Sequence, residues 1–566
     1  MSSKILFYVH FNKYNQLSDH VVYQLDKMAP LFQRVVLISN SDLSKKDLDK
    51  LSYNDFIQRE NKGFDFAGWK MGVDLIGDEL EKYDSATFMN DTTFGPLYDL
   101  KPYYDKYEKD PLVDFWGITN HRNTKQVKEH LQSYFVVYNQ NVLQSEIFKN
   151  FWQNVEVLDD VSEVIEKYET SFTRTLMING FSYASVLNTK NMSTNGMLYP
   201  DFSFWNPTQI ILNNVPFLKV KAVGAFKNMT PFFLNELKLR SQYPINLIYS
   251  HMTRFVELPD EPYLLENNFL DLNKPNENNK QKIAIHFHVF YTDLVDDFFK
   301  YFAEYNFKFK LFITTDIKEK VSEIESKLKQ YNLMAQILVT GNVGRDILPM
   351  LKLKKQLSKF DIIGHFHTKK SKEADFLVGE SWRNELINML VKPANQIVTS
   401  FEENENLGLL IADIPSFFRF NAIVNPEAEH KIAPKMNKLW KQMKLQKTIN
   451  FITMNTFVMS YGTFLWFKYD AVKPLFDLNL SEADVPKEPL PQSSILHAIE
   501  RIMVYLVWNN FYEFKISPNT KSTPFIDNKV LNSNFNMTIN NDNISGKQAL
   551  KIASKKLILK VKGIKK

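Results

Sequence analysis

The chain has no cysteine in 566 residues. Thiolate catalysis, cysteine-ligated zinc and disulfide staples are therefore excluded, and the composition agrees with a reducing compartment. A secretory signature is missing as well. Lys4 leads directly into an apolar strand, with no long apolar run or small-residue cleavage site near it. Charge-free stretches of membrane length are scarce: Thr448 to Phe467 is one, but Asn450, Thr453, Asn455, Thr456, Ser460, Tyr461, Gly462 and Thr463 interrupt it. Its apolar residues are mostly β-branched or aromatic, which predicts two buried strands around a turn rather than a bilayer helix. Acidic residues are absent from Asn543 to Lys566, where eight lysines stand. This tail carries +8, so with a formal total of +5 the remainder of the chain is at −3. Leu550, Leu557, Val561 and Ile564 could share one helical face of the tail, a pattern suited to an anionic membrane surface. A slightly acidic body without a recognition motif argues against nucleic acid as a partner.

What is present is a globular composition, 44% hydrophobic and 23% charged. The length is that of roughly three or four ordinary domains. One local design is written twice. Lys4 to His10 (KILFYVH) is followed by Asn61-Lys62-Gly63-Phe64-Asp65 and then by Tyr83 to Thr93 (YDSATFMNDTT). Lys282 to His288 (KIAIHFH) is followed by Asn342-Val343-Gly344-Arg345-Asp346 and then by Phe360 to Lys370 (FDIIGHFHTKK). Each half reads as strand, helix, strand, Asn-x-Gly-x-Asp turn, helix, strand and polar turn. The unit is too long for a solenoid repeat and predicts a duplicated α/β domain with ligand sites where the parallel strands end. The expected boundaries are residues 1–257, a Pro- and Asn-rich linker at 258–281, a second domain at 282–517, and a polar linker with the basic tail at 518–566. His430 to Lys447 reads as a basic surface helix after Pro434.

In the first half, Asn90 and Asp91 fall in a turn at a strand end, where a carboxylate beside an amide oxygen suits a hard divalent cation or simply caps the next segment. Gly63 provides a left-handed or close-approach position, and Asp65 could accept from a ligand or cap a helix starting at Phe66. Glu169, read as the start of a helix, could serve as a general base toward an acceptor hydroxyl or as a helix-terminal charge. Arg174 could neutralise a diphosphate or pair with a nearby acid. Trp69, Trp116 and Trp205 lie near the candidate loops.

NKGFDFAGWK, FMNDTTFGP, NVGRDILPML, HFHTKKS with Trp382-Arg383, and the late run GTFLWF, Pro474-Leu475, Glu488-Pro489-Leu490-Pro491 and HAIER together resemble the rhamnan-synthesis F family, from about residue 4 to about 515. The resemblance implies a glycosyltransferase, specifically a rhamnosyltransferase, that builds cell-wall polysaccharide in Gram-positive bacteria. It further implies two tandem GT-A-like (Rossmann-like) domains, a dTDP-β-L-rhamnose donor and inversion at the sugar. The acceptor would be a lipid-pyrophosphate-linked glycan on the cytoplasmic face of the membrane, with other polysaccharide-assembly enzymes as partners. Asn61, Gly63 and Asp65 would contact the donor nucleotide, and Asn90-Asp91 stands where such enzymes place a metal-binding Asp-x-Asp, so Mg2+ or Mn2+ is expected if the first domain is active. In the second half Asn342, Gly344 and Asp346 repeat the turn, but the metal position holds His365 and His367. There Lys369, Lys370 and Arg383, with His367, could neutralise a leaving diphosphate without metal, and Glu488 or Glu500 would be the base. Either both domains transfer sugar, or one does and the other binds glycan or serves as scaffold. A sugar-phosphate transferase is the remaining alternative.

Overall fold

The protein is described by a computed structural model. It covers residues 3–520 except 126, 266, 273–279, 369, 371–375, 417, 419–425, 455–456 and 492, and also residues 550 and 554. The chain divides into two compact units, Met1–Asn268 and Phe269–Lys566.

The first unit is built on strands β1 (Lys4–His10), β2 (Arg34–Ser39), β3 (Asp55–Gln58), β4 (Ser85–Asn90), β5 (Thr93–Phe94), β6 (Phe115–His121), β7 (His130–Leu131), β8 (Phe135–Asn139), β9 (Tyr183–Leu187) and β10 (Leu218–Lys219). Its main sheet runs β3-β2-β1-β4-β8-β6, with β9 beside β6. The first four strands are parallel, β8 is antiparallel to both β4 and β6, and β9 is parallel to β6. The residues of β1 explain why the sheet is central. Leu6 and Tyr8 enter one apolar cluster while Ile5, Phe7 and Val9 enter another, so alternate side chains feed two cores on opposite faces.

The second unit contains β11 (Ile283–Val289), β12 (Phe309–Thr315), β13 (Ala335–Val339), β14 (Ile362–His367), β15 (Leu407–Ala412), β16 (Leu465–Lys468) and β17 (Glu513–Ser517). Its sheet runs β13-β12-β11-β14-β16-β15-β17. The pattern of strand directions along this order is the same as in the first unit. Both sheets are Rossmann-like in their parallel halves, and each carries one strand more, β3 or β13, than the sequence pattern implied.

Several expectations need correction. Among its described residues the stretch 448–467 contributes a single strand, β16, preceded by helical turns at Phe451–Thr453 and Tyr461–Thr463. Asn450 accepts from the Ile452 N–H, and Gly462 takes φ +64°, so the extended run is broken twice. The helix expected after Pro434 instead spans Pro426–Gln442, with that proline inside it. Ile432, Met436, Leu439 and Trp440 are buried at helical spacing, and this apolar face outweighs the proline as a start signal. Lys447 is also buried, its Nζ donating to the Trp508 carbonyl at 2.6 Å over the indole ring. The boundary between the two units falls inside the expected linker 258–281, where Pro262–Leu265 is helical and Phe269 bridges to Ile516 of β17. Apart from residues 550 and 554, the tail 543–566 lies outside the described residues, as does Lys369.

Candidate active site

The site of the first unit is assembled by the Asn-x-Gly-x-Asp turn. Gly63 has φ +68° and Phe64 follows at φ +51°, two consecutive left-handed residues. A Cβ on Gly63 would lie 2.6 Å from the Ala67 Cβ, so the position requires glycine. Arg59 clamps the turn by donating to the Asn40 Oδ1 at 2.9 Å, to the Phe64 carbonyl at 3.3 Å and to the Lys62 carbonyl. Asn40 in turn donates to the Asn61 Oδ1 at 3.1 Å. The helix that follows, Phe64–Ile76, starts two residues earlier than expected. Asp65 therefore lies inside its first turn and reaches to the end of β4, accepting from the Asn90 Nδ2 at 2.7 Å.

Asn90 is thus tied to Asp65, and its Oδ1 accepts from the Thr92 hydroxyl at 2.6 Å. Asp91 accepts the Phe11 N–H at 3.0 Å and stands 3.9 Å from the Nε2 of His10. Burial pushes His10 down to about 4, so its imidazole is neutral at pH 7 and does not neutralise the carboxylate. Burial pushes Asp91 up to about 8, with the charge of Asp65 adding to it. Asp65 itself is pushed up to about 6 by burial, against the Asn90 hydrogen bond and with a contribution from Glu169. Among the described residues, neither Asp65 nor Asp91 forms a direct ion pair with Lys or Arg, although the charges of Arg59 and Lys221 act on Asp65 and partly offset its burial. Two carboxylates that resist ionisation, one raising the other, favour a proton or a cation.

Glu169 is not at a helix start. It ends a π-helical segment, Ile165–Glu169, within a run that begins at Val161 behind an Asp160 cap and continues to Ile178. Its Oε1 accepts the Ser133 N–H at 3.1 Å and lies 4.0 Å from the His130 Nε2. Thr170 and Ser171 hydrogen-bond backward to the Glu166 and Lys167 carbonyls rather than capping. Arg174, farther along this run, is exposed. Trp69 and Trp116 are buried, the former donating to the Met89 carbonyl at 3.2 Å.

In the second unit the same turn recurs: Gly344 has φ +81°, Arg345 φ +52°, and a Cβ on Gly344 would meet the Leu348 Cβ at 2.3 Å. Asn342 is exposed. Asp346, however, is enclosed. It contacts the His365 Nε2 at 3.1 Å, accepts from the Thr463 hydroxyl, and lies 3.9 Å from the His367 Nε2. Burial would raise this carboxyl, but the charge of His367 and the hydrogen bond from His365 hold it well below the usual range. The network continues inward. The Nδ1 atoms of His365 and His286 are 2.8 Å apart, and the Thr314 hydroxyl joins His286 at 2.8 Å to His288 at 2.9 Å. His367 also meets the Gly462 carbonyl at 2.7 Å. Each remaining described candidate is engaged in an ion pair or hydrogen bond, two of them next to this network. Lys370 pairs with Asp293 at 2.5 Å, Arg383 with Asp297 at 3.5 Å and Glu488 with Arg345 at 2.9 Å. Glu500 accepts the Gly462 N–H at 2.7 Å and pairs with Arg501.

Strand register relates the two sites. His10 lies opposite Ser39 on β2 and His288 opposite Thr314 on β12, and each Nδ1 faces the hydroxyl of its partner, at 3.2 and 2.9 Å. A histidine at the end of the first strand of each half was the sequence signal for this pair. Arg59, Asn40 and Ser133 had no such signal, because their roles depend on neighbours distant in sequence.

A Rossmann-like sheet in each unit, with polar groups gathered at the parallel strand ends, defines a mixed α/β protein of the kind that places its sites there. The chain belongs to the rhamnan synthesis protein F family, whose model matches residues 35–512. It is 26% identical over 229 residues to protein WxcX of Xanthomonas campestris pv. campestris strain B100, covering 38% of this chain and 30% of that protein. It is 33% identical over 141 residues to virulence protein VirA of Vibrio anguillarum, covering 24% of this chain and 43% of VirA. The chain thus spans less than half the length of these relatives. Among solved structures, Streptococcus pneumoniae glycosyltransferase GlyE aligns with 10% identity and a TM-score of 0.24, covering 66% of this chain and 88% of GlyE. Staphylococcus aureus TarS 1–349 aligns with 13% identity and a TM-score of 0.23, covering 44% and 58%.

Proposed function

We propose that the protein is a glycosyltransferase of rhamnan-type polysaccharide synthesis, moving L-rhamnose with inversion from dTDP-β-L-rhamnose to a lipid-pyrophosphate-linked glycan. Family membership over 35–512 is the observation that carries this reading. The first unit is the transferring one, because its two turn carboxylates stay above the usual carboxylate range, the charges of Arg59 and Lys221 on Asp65 notwithstanding, whereas Asp346 is held low by His365 and His367. In this reading Asn61, Gly63 and Asp65 face the donor nucleotide, and Glu169, oriented by the Ser133 N–H, takes the proton of the acceptor hydroxyl.

With the amide of Asn90, one of the two expected ligands, tied to Asp65 and Thr92, Asp91 and Asp65 would be the residues to hold a hard divalent cation that keeps part of its water shell. Among the described residues no set of three or more acidic or histidine side chains surrounds such an ion. When bound, Mg2+ or Mn2+ would offset the charge of a departing diphosphate. The second unit, with its closed Asp346 network, serves glycan binding or assembly with partner enzymes. No helix among the described residues is long and apolar enough to cross a membrane, and in this reading the basic tail holds the protein peripherally to the inner, anionic face.

The test is transfer of labelled rhamnose to the lipid-linked acceptor, with release of dTDP. Asp91→Asn and Glu169→Gln should each lower the rate by roughly 10²- to 10⁴-fold. Normal transfer by both variants would sink the assignment, and transfer of sugar phosphate without release of dTDP would favour a phosphotransferase.

A further inference from the structure

Of the three tryptophans near the site loops, only Trp205 keeps part of its ring at the surface. It belongs to an aromatic group in which Tyr199 is 6.0 Å, Phe204 5.2 Å and Phe226 5.8 Å away between ring centres. Tyr199 is 59% exposed, and Phe204 and Phe226 are partly exposed, unlike the fully enclosed aromatics of the sheet core. Volume filling does not account for such a group.

Its placement is fixed from the reacting end of the sheet. β10 pairs antiparallel with β5, the strand just after Asp91, with Lys219 opposite Thr93. Lys219 lies 3.5 Å from the Oδ2 of Asp201. The Asp201 Oδ1 accepts from Gln132 at 3.1 Å and from the Ser203 hydroxyl at 2.6 Å, and its carbonyl accepts the Trp205 N–H at 2.8 Å. The short helix Phe202–Trp205 lies against β6, so the rings stand on the β6 side of β4. The Asn61 turn is on the opposite, β3 side. Asp91, at the end of β4, falls between.

We propose that Trp205, Tyr199 and Phe226 form the acceptor subsite, where the apolar face of a pyranose ring of the growing glycan stacks on the indole. This rests on the glycosyl-transfer reading and extends it to the acceptor. A nucleobase is the poorer occupant, because the turn assigned to the donor is across the sheet. An anionic membrane is also the poorer occupant, because the lysines on either side are paired, Lys219 with Asp201 and Lys227 with Glu257 at 2.7 Å and Glu261 at 2.5 Å, and the charge of Lys221 between them acts on Asp65. Asp201 and Lys219 act as positioning residues that hold the indole in register with the reacting carboxylates.

Calorimetric titration of the full-length protein with a rhamnose trisaccharide, and separately with dTDP, tests this. Trp205→Ala should weaken trisaccharide binding about tenfold and leave dTDP affinity unchanged, with Trp205→Phe intermediate and Tyr199→Ala, at an exposed position, also weaker. If Trp205→Ala does not fold, the latter two variants carry the same test. Unchanged trisaccharide affinity in the variants, equal loss of dTDP and sugar, or loss of binding to phosphatidylglycerol vesicles in place of sugar would overturn the subsite. So would a wild-type protein that binds dTDP but no trisaccharide. A wild-type protein that binds neither defeats the glycosyl-transfer reading itself.

Discussion

At the scale of single residues, the first-unit site is a place where folding and function are opposed. Asp65 and Asp91 have folded pKa values raised to about 6 and about 8, against about 3.9 for an unperturbed aspartate. A raised carboxylate binds its proton more tightly when folded, so its stabilising effect is complete below the unfolded value and disappears as pH rises through the folded one. The first unit should therefore lose stability between about pH 4 and pH 8 through these two groups. Asp91→Asn keeps an oxygen able to accept the Phe11 N–H and removes the charge. Its melting temperature should exceed that of the wild type at pH 8 while the two converge near pH 4, even as transfer activity is lost. Thermal melts over that range check this, and a variant less stable than wild type at pH 8 would show that the carboxylate charge is compensated after all. Mn2+ should narrow the gap at pH 8 by stabilising the wild type alone.

At the scale of elements, the turn was the most legible feature, and the reason is steric. Gly63 and Gly344 occupy left-handed backbone with the next helical turn pressed against the missing side chain, so the sequence could hardly record anything but glycine there. Gly344→Ala combines positive φ with a 2.3 Å approach to the Leu348 Cβ and should destabilise the second unit by about 2 kcal/mol or more. A denaturation midpoint within error of wild type would show that the turn relaxes at little cost. Strand identities were legible from β-branched and aromatic runs, but the helical segments were less so. Glu169-Thr170-Ser171 resembled a cap, whereas Asp160 caps the run and a π segment delivers Glu169 to the Ser133 N–H. Such a segment has no composition signal, though it is common at functional sites. Pro434 looked like a boundary, yet the inward face of Ile432, Met436 and Leu439 carried the helix through it.

At the scale of the whole molecule, the same sheet has been given two different interiors. The repeat was readable because both halves keep the strand order, the turn and the His–hydroxyl pair. The divergence was not readable, because whether an aspartate is free or enclosed depends on which residues a distant loop brings to it. In the second unit that loop is Tyr461–Thr463, held by Glu500 and supplying the Thr463 hydroxyl to Asp346. The consequence is a reversal of sign between equivalent residues. Asp346 has its pKa held low, so its contribution to stability is present above the unfolded value near 3.9 and is lost only as pH falls through the depressed folded value. Asp346→Asn removes the charge that His365 and His367 surround and should cost about 3 kcal/mol at pH 7, with the deficit shrinking below pH 4. If the second unit does not transfer sugar, the folded fraction of this variant should keep the wild-type rate of rhamnose transfer, in contrast to Asp91→Asn. Equilibrium unfolding combined with transfer assays on the folded fraction decides the matter. A stable Asp346→Asn protein that has lost one linkage from the product would mean that the enclosed carboxylate is chemical, and that both units work.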